Sequence, residues 1–490
     1  VNNTVAAAIL WNEGASYPLP PFDPPVRYPD LPLPLSRREP DLSNAVYPLV
    51  RESVIRALRP EPGGGAQGAD VLRSLGRPSR ILIKPNWVLE EKTFTGAMTT
   101  HGSVLRPIID MLLAAFPSAE IVVGDIPLQA THLDRVWEQT GITALKRLYA
   151  EAGLPVRFLD LRRERARLHP TGFIEQREPL AGDPLGYVRV ALGGSSHLEP
   201  ITGKGTRFSV NDYEPGLAAC KHAPGCHEYL IAGSVLAADL FVNVPKLKTH
   251  SKAGMTVCLK NLIGINGDKG WIPHFRIGPP AGGGDEFPDE IGRLMGFQAG
   301  VRRLLQGRSL FLYAVAQRCW SLVRKHLEKR HGAMLTQGGA WPGNDTLWRS
   351  ILDLAAVVSR ADAAGVMGTV PARAQLCVVD GIVCGEGEGP LIPTPKNIGV
   401  ILCSRDPLVA DLAAARVAGF DWRSIPYLQQ AVKAAAGTIP DPGALPVAVT
   451  GQPLPVPLAE SPSWRLAPPS AWESRLRSSP EPEAKNLKHD

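Results

Sequence analysis

Residues 81–125 read ILIKPNWVLEEKTFTGAMTTHGSVLRPIIDMLLAAFPSAEIVVGD. Within them ILIK (81–84) predicts a strand, SVLRPIIDMLLAAF (103–116) a helix, and AEIVVGD (119–125) a second strand. Two strands joined through one helix form a βαβ unit, and such units build parallel sheets. The alternation carries on. LDRVWEQTGITALKRLYAEAG (133–153) reads as one helix and VRFLDL (156–161) as a strand. Farther along, ADLFVNVP (238–245), QLCVVDGIV (375–383) and NIGVILC (397–403) are strands, with helices over 345–360 and 406–419.

The expected fold is therefore α/β, a mainly parallel sheet in two lobes with a helical insertion and Pro-rich termini. Residues 1–44 form a Pro-rich wrap (YPLPPFDPPVRYPDLPLPL) in which no helix can continue. An α/β lobe follows over 45–161, opened by a helix at 45–59 and broken by the flexible GGGAQG at 63–68. Residues 162–228 read as an irregular or β-rich insertion, and 229–290 as a core strand with a Lys/His/Gly segment. A helical, basic insertion covers 291–370, with a long helical stretch over about 297–332. Residues 371–451 close the α/β core. The Pro/Ser-rich tail, 452–490, reads as irregular or disordered.

Composition narrows the function classes. Of 490 residues, 44% are apolar and 20% charged, which is globular. With 53 basic against 47 acidic side chains the net charge is only +6. That balance, without RNP-like aromatics or zinc-finger spacing, argues against nucleic acid as a partner. No apolar run approaches the roughly 18 residues of a membrane span. The most apolar piece, LFLYAVA (310–316), lies between Arg-rich flanks and reads as a buried or surface-docked helix. The first residues lack a basic stretch followed by a long apolar one, and seven cysteines form no paired framework. A cytoplasmic location is expected.

Ligands of open α/β sheets sit beyond the carboxyl ends of the strands. Four strands here end in polar clusters: Lys84-Pro85-Asn86, Gly124-Asp125, Asn243 with Lys246, and Asp380 followed by Glu386 and Glu388. The richest segment is NVPKLKTHSKAGMTVCLKNLIGINGDKGWIPHFR (243–276), with five lysines and two histidines. Lysines facing one point away from water require an anion, so a carboxylate or phosphate substrate is expected. A histidine among lysines stays neutral and serves as a base or metal ligand. Lys246 and His250 are the candidate catalytic residues. Lys84, Asn86, Asp125, Asn243, Lys248, Asn261, Arg276, Glu386 and Glu388 are candidate substrate or cofactor contacts. At least two of Lys248, Lys252 and Lys269 read as solvated surface residues. The acidic, Gly-rich loops PPAGGGDEFPDE (279–290) and GEGEGP (385–390) suit either a divalent cation or salt bridges to the lysines. Candidate metal ligands are thus Asp285, Glu286 and Asp380. WPGNDTLWR (341–349) carries a helix N-cap at Asn344 or Asp345. CKHAPGCH (220–227) lacks the second ligand pair that a zinc site requires.

The stretches NVPKLKTHSKAGMTVCLKNLIGINGDKGWIPH, GPPAGGGDEFP, GNDTLWRSILDL and VVDGIVCGEGEGPLIPTPKNIGVILCSRDPLVADLAAARVAGFD together resemble the family catalogued as domain of unknown function 362, over about residues 3–435. The form matched is associated with polysaccharide and secondary-metabolite gene neighbourhoods. Some members of that family carry ferredoxin-type cysteine clusters. This chain has no such run, so no iron–sulfur cluster is expected. More distantly, His250-x-x-Ala253-Gly254…Lys260 with His274 looks like the core of lactate-racemase-type enzymes. That likeness implies a nickel pincer nucleotide tethered at Lys260, His250 as a catalytic histidine and His274 as the metal ligand. The Ser-Gly-Gly before the tethering lysine is replaced here by Thr256-Val257-Cys258-Leu259, and the phosphate turn by Lys84-Pro85-Asn86.

The expectation is an enzyme acting on a small anionic substrate by metal-assisted acid/base chemistry, of isomerase, racemase or redox class. Two alternatives stand beside it: a Mg²⁺-dependent transferase or ligase, and a non-catalytic protein that binds an anionic metabolite.

Overall fold

The computed structural model describes residues 5–59, 68–169, 174–210, 216–305, 309–331 and 338–476. Eleven strands form one sheet. They are β1 (Ala7–Trp11), β2 (Arg80–Pro85), β3 (Glu120–Asp125), β4 (Val156–Asp160), β5 (Leu240–Val244) and β6 (Lys246–His250), then β7 (Gly254–Thr256), β8 (Ala374–Glu386), β9 (Thr394–Ser404), β10 (Pro446–Val449) and β11 (Val456–Pro457). Across the sheet the order is β11-β10-β1-β9-β8-β5-β2-β3-β4. After Pro245, β6 runs on beside β8 and folds back onto β7. The run β8-β5-β2-β3-β4 is wholly parallel, while β9 is antiparallel to both β8 and β1. Both halves of the chain thus share one mainly parallel sheet.

Its strands are buried on both faces, which is why they read as continuous apolar runs. Ile81, Ile83, Val242 and Val378 enter one core, against helices α1 (Val46–Leu58), α2 (Gly102–Ala115), α3 (Leu133–Gln139) and α4 (Ile142–Glu151). Leu82, Phe241, Cys377 and Val379 enter the other. The chain then forms the short α5 (Cys258–Asn261), a pair of helices α6 (Gly292–Leu305) and α7 (Leu310–His331), then α8 (Leu347–Arg360) and α9 (Pro407–Ala418). The helices α8 and α9 cover the second core.

Several expectations change. The single helix over 133–153 is two, because Gly141 adopts φ +74° where the Phe22 ring leaves no room for a Cβ. The basic stretch over 297–332 is likewise two helices. The N-cap position of α8 is Thr346, neither Asn344 nor Asp345, while Asn344 Oδ1 accepts from Thr346 N (3.0 Å) and Leu347 N (2.9 Å) at the helix start. The tail is irregular but not disordered as far as residue 476. Trp472 and Leu476 lie in the second core, and Trp472 Nε1 donates to the Ser251 carbonyl at 2.7 Å. Pro and Ser prevent regular structure, but its Trp and Leu residues anchor it. Residues 477–490, and 63–67 of the GGGAQG break, lie outside the described residues.

Candidate functional site

From β2 the chain winds outward through β3 and β4 on one side, while β5 and β8 lie on the other. The carboxyl ends of the strands diverge at that change of direction, and a hollow of about 450 Å³ opens there. Its wall includes Asn86 beyond β2, Asp125 at the end of β3, Lys248 and His250 on β6, Lys260 and Asn261 on α5, and His274. Lys84 and Asn243 form the layer beneath.

That layer is one hydrogen-bonded chain. Asn243 Nδ2 donates to the Cys258 carbonyl (2.9 Å), and Asn243 Oδ1 accepts from Asn261 Nδ2 (2.8 Å). Asn261 Oδ1 then accepts from Lys84 Nζ (3.1 Å) and Asn86 Nδ2 (3.0 Å). A carbonyl can only accept, so the orientation of all three amides is fixed from Cys258 outward. Among the described residues, Asn86 Oδ1 remains buried without a partner. Asp125 takes Lys84 Nζ at 2.7 Å together with the Trp87 and Ile126 amides. Among the described residues it is the one carboxylate in the wall of the hollow, and it is already paired.

Among the described residues, three of the cations around it, Lys248, Lys260 and Lys269, have no carboxylate partner. Lys248 is fully buried and its ammonium donates to the Met98 carbonyl. Lys269 donates to the Pro127 carbonyl at 2.7 Å. Lys260 makes no hydrogen bond or ion pair among the described residues. Burial, then Lys252 and Lys84, depresses Lys260 to about 7, and burial brings Lys269 to about 7 as well. Lys248 falls well below its usual range through burial and its neighbours Lys260 and Lys246. Contrary to expectation, none of Lys248, Lys252 and Lys269 is an exposed surface residue. The loop 264–276 folds back over the strand ends and carries Lys269 and His274 inward.

Both imidazoles are neutral. Burial, followed by Lys260 and Lys252, holds His250 well below its ordinary pKa, and burial with Lys252 does the same for His274. Their backbone contacts fix opposite tautomers. His250 Nδ1 accepts from the Lys252 amide at 3.0 Å, so its proton sits on Nε2. His274 Nδ1 faces the Ile272 carbonyl at 2.9 Å and must donate, which leaves a lone pair on Nε2.

Other candidates lie elsewhere. Lys246 is buried 3.2 Å from Asp380, under Tyr17, and neither residue reaches the wall. Asp285 fastens the start of α8, accepting from Arg276 N (2.5 Å), Thr346 Oγ1 (2.5 Å) and Asp345 N (3.0 Å). Glu286 accepts from Gly278 N at 3.2 Å, and Arg276 lies 3.5 Å from Asp285 and from Asp345. Glu386 and Glu388 hold the C-terminal segment through Ala467 N (2.8 Å) and Ser470 N (2.7 Å). The same loop sends Pro390 and Leu391 into the hollow. Sequence reasoning missed those two, along with Gln129, for want of any local signal, and it set Lys269 among the lysines read as solvated surface residues. Among the described residues no group of three or more His, Cys, Asp or Glu could hold a metal. In CKHAPGCH, His222 and His227 face each other at 3.2 Å and bond to Trp271 O and Glu199.

The chain matches the family described as domain of unknown function (DUF362) over residues 81–181 and 204–416. It belongs to the DUF362 family. Every residue in the wall or floor of the hollow falls inside the DUF362 match, whereas the segment bearing Trp472 lies beyond it. No curated protein matches the chain. Among solved structures, the lactate racemase apoprotein from Thermoanaerobacterium thermosaccharolyticum is similar at 11% identity and TM-score 0.27, over 68% of this chain and 48% of that one. This DUF362 chain therefore spans about half the length of that enzyme.

Proposed function

We propose that the chain is an enzyme that moves a proton at a carbon beside the anionic group of a small substrate, a carboxylate bearing a hydroxyl being the best fit. The observation that carries this is Lys260, an unpartnered amine held near 7 and facing a hollow that already uses its one carboxylate. Lys260 and Lys248 would clamp the anion. Asn86 Oδ1, the orphaned acceptor, would take the substrate hydroxyl. His274 Nε2 accepts the proton from carbon, and the neutral His250 Nε2–H donates a hydrogen bond to the oxygen on which charge develops. Return of the proton to the face it left gives back the substrate, whereas its return to the opposite face of that carbon completes an isomerisation; either way the atoms balance without a co-reactant. These roles reverse the expectation that made His250 the base and His274 a metal ligand.

Among the described residues two imidazoles have no third converging donor and do not build a divalent-ion site from side chains alone, so no step is routed through a metal. A cofactor tethered at Lys260 is tested directly by the intact mass of the purified protein.

The deciding experiment follows exchange of the carbon-bound proton of a panel of hydroxy acids in deuterated solvent. Exchange by the wild type, lost in His274→Gln, is expected. Binding without exchange would leave a non-catalytic binder. Magnesium-dependent nucleotide binding would favour the transferase, and a mass increase mapped to Lys260 would replace this scheme with tethered-cofactor chemistry.

A further inference from the structure

The helical pair α6 and α7 plays no part in the hollow, and its surface is unusual. On α6, Leu294, Phe297 and Leu304 are exposed, and with the half-buried Val301 they follow the three- and four-residue spacing of a single stripe. On α7, Phe311, Leu312, Val315, Leu322 and Val323 are exposed in the same manner. On the opposite side Met295 and Ala299 meet Phe287 in a small cluster, with Ile291 and Trp320 packed against it. Between the helices lies an apolar cleft of about 310 Å³ lined by Phe297, Val301, Tyr313, Ala316, Trp320 and Val323. A soluble surface does not spend two stripes of Phe, Leu and Val on water without a partner.

Charge says which partner. Residues 292–331 contain nine Arg or Lys and one Glu, so the rest of the chain, with 44 basic and 46 acidic side chains, is close to neutral. All of the protein's net positive charge therefore resides in this helical pair. Two copies brought face to face would repel each other. An apolar stripe on helices whose sequence is this rich in Arg and Lys is the pattern of a helix that lies in a membrane interface. We infer that α6 and α7 form a peripheral docking surface for lipid bilayers with anionic headgroups. The chain rests on the bilayer without crossing it, in keeping with the lack of any helix among the described residues long and apolar enough to span one.

Sedimentation of the full chain with vesicles tests this. Binding to phosphatidylcholine vesicles that contain phosphatidylglycerol is expected, weakening in high salt and negligible on phosphatidylcholine alone. The double variant Phe297→Glu/Phe311→Glu, shown to be folded by its thermal melt, should partition at least about tenfold more weakly. Equal partitioning of variant and wild type, or no binding to anionic vesicles, would overturn the inference. So would a dimer in sedimentation velocity that the double variant dissolves, because the face would then belong to a second copy.

Discussion

Lys84 Nζ lies 2.7 Å from Asp125 Oδ1, tying the tips of the adjacent parallel strands β2 and β3 beneath the hollow. Both side chains are buried, and burial lowers the Lys84 pKa while Asp125 holds it up in part. Removing one partner strands the other. Asp125→Ala should cost about 3–5 kcal/mol in urea unfolding, because a buried ammonium and two amides lose their acceptor. An unfolding midpoint equal to that of the wild type would contradict this.

Gly264 closes over that pair. A Cβ there would stand 2.5 Å from Asp125 Oδ1 and 2.7 Å from Lys84 Nζ. Gly264→Ala should therefore destabilise by roughly 1–3 kcal/mol and weaken anion binding, both measurable by calorimetry.

Lys260→Met should act in opposite directions on stability and binding. It removes a cation from a hollow crowded with them, so the ligand-free variant should melt higher than the wild type. It also removes the clamp, so hydroxy-acid binding measured by titration calorimetry should fall at least about tenfold.

Protonation sets the pH dependence. Lys260 and Lys269 have folded values of about 7 against an ordinary 10.5, so between those limits the unfolded chain binds more protons. Stability of the ligand-free protein should then rise with pH across that window. Below an ordinary 6.5 the unfolded chain also protonates the histidines that His250 and His274 keep neutral, so stability should fall as acid is added. Anion affinity should run the other way above about 7, since it needs Lys260 charged. Thermal melts over a pH series, with and without ligand, check all three, and Lys260→Met should flatten the upper limb.

Trp472 tests the strap. It is almost wholly buried and bonds to Ser251, a neighbour of His250 at the wall of the hollow. Trp472→Ala should cost about 3–5 kcal/mol, and deletion of the chain after residue 451 should reduce anion binding as well.

The strands and their order of apolar faces were legible because βαβ alternation is a local signal. So was part of the site. Lys84, Asn86, Asp125, Lys248, His250, Lys260, Asn261 and His274 do come together, since strand tips of a parallel sheet must share an edge. Lys246 shows what the pattern leaves out. It has the same parity as Lys248 and His250, yet it pairs with Asp380 under Tyr17, for the pairing with β8 shifts register between Lys246 and Lys248 and no sequence pattern announces that shift. The acidic loops misled for another reason. Their carboxylates are taken by backbone amides 81 or 82 positions away or across a turn, and such partners are invisible until the chain is folded.

The position of β1 bears on how the molecule is made. Ala8–Trp11 pair with Val400–Cys403 and Ala7–Ile9 with Val447–Val449, so β1 is flanked by β9 and β10, which are synthesised long after it. At a ribosomal rate of about 5–20 residues per second, β1 waits on the order of 20–80 s for those neighbours. During that interval a chaperone, or the proline-dense stretch right behind it, must keep an adhesive apolar edge from finding the wrong company.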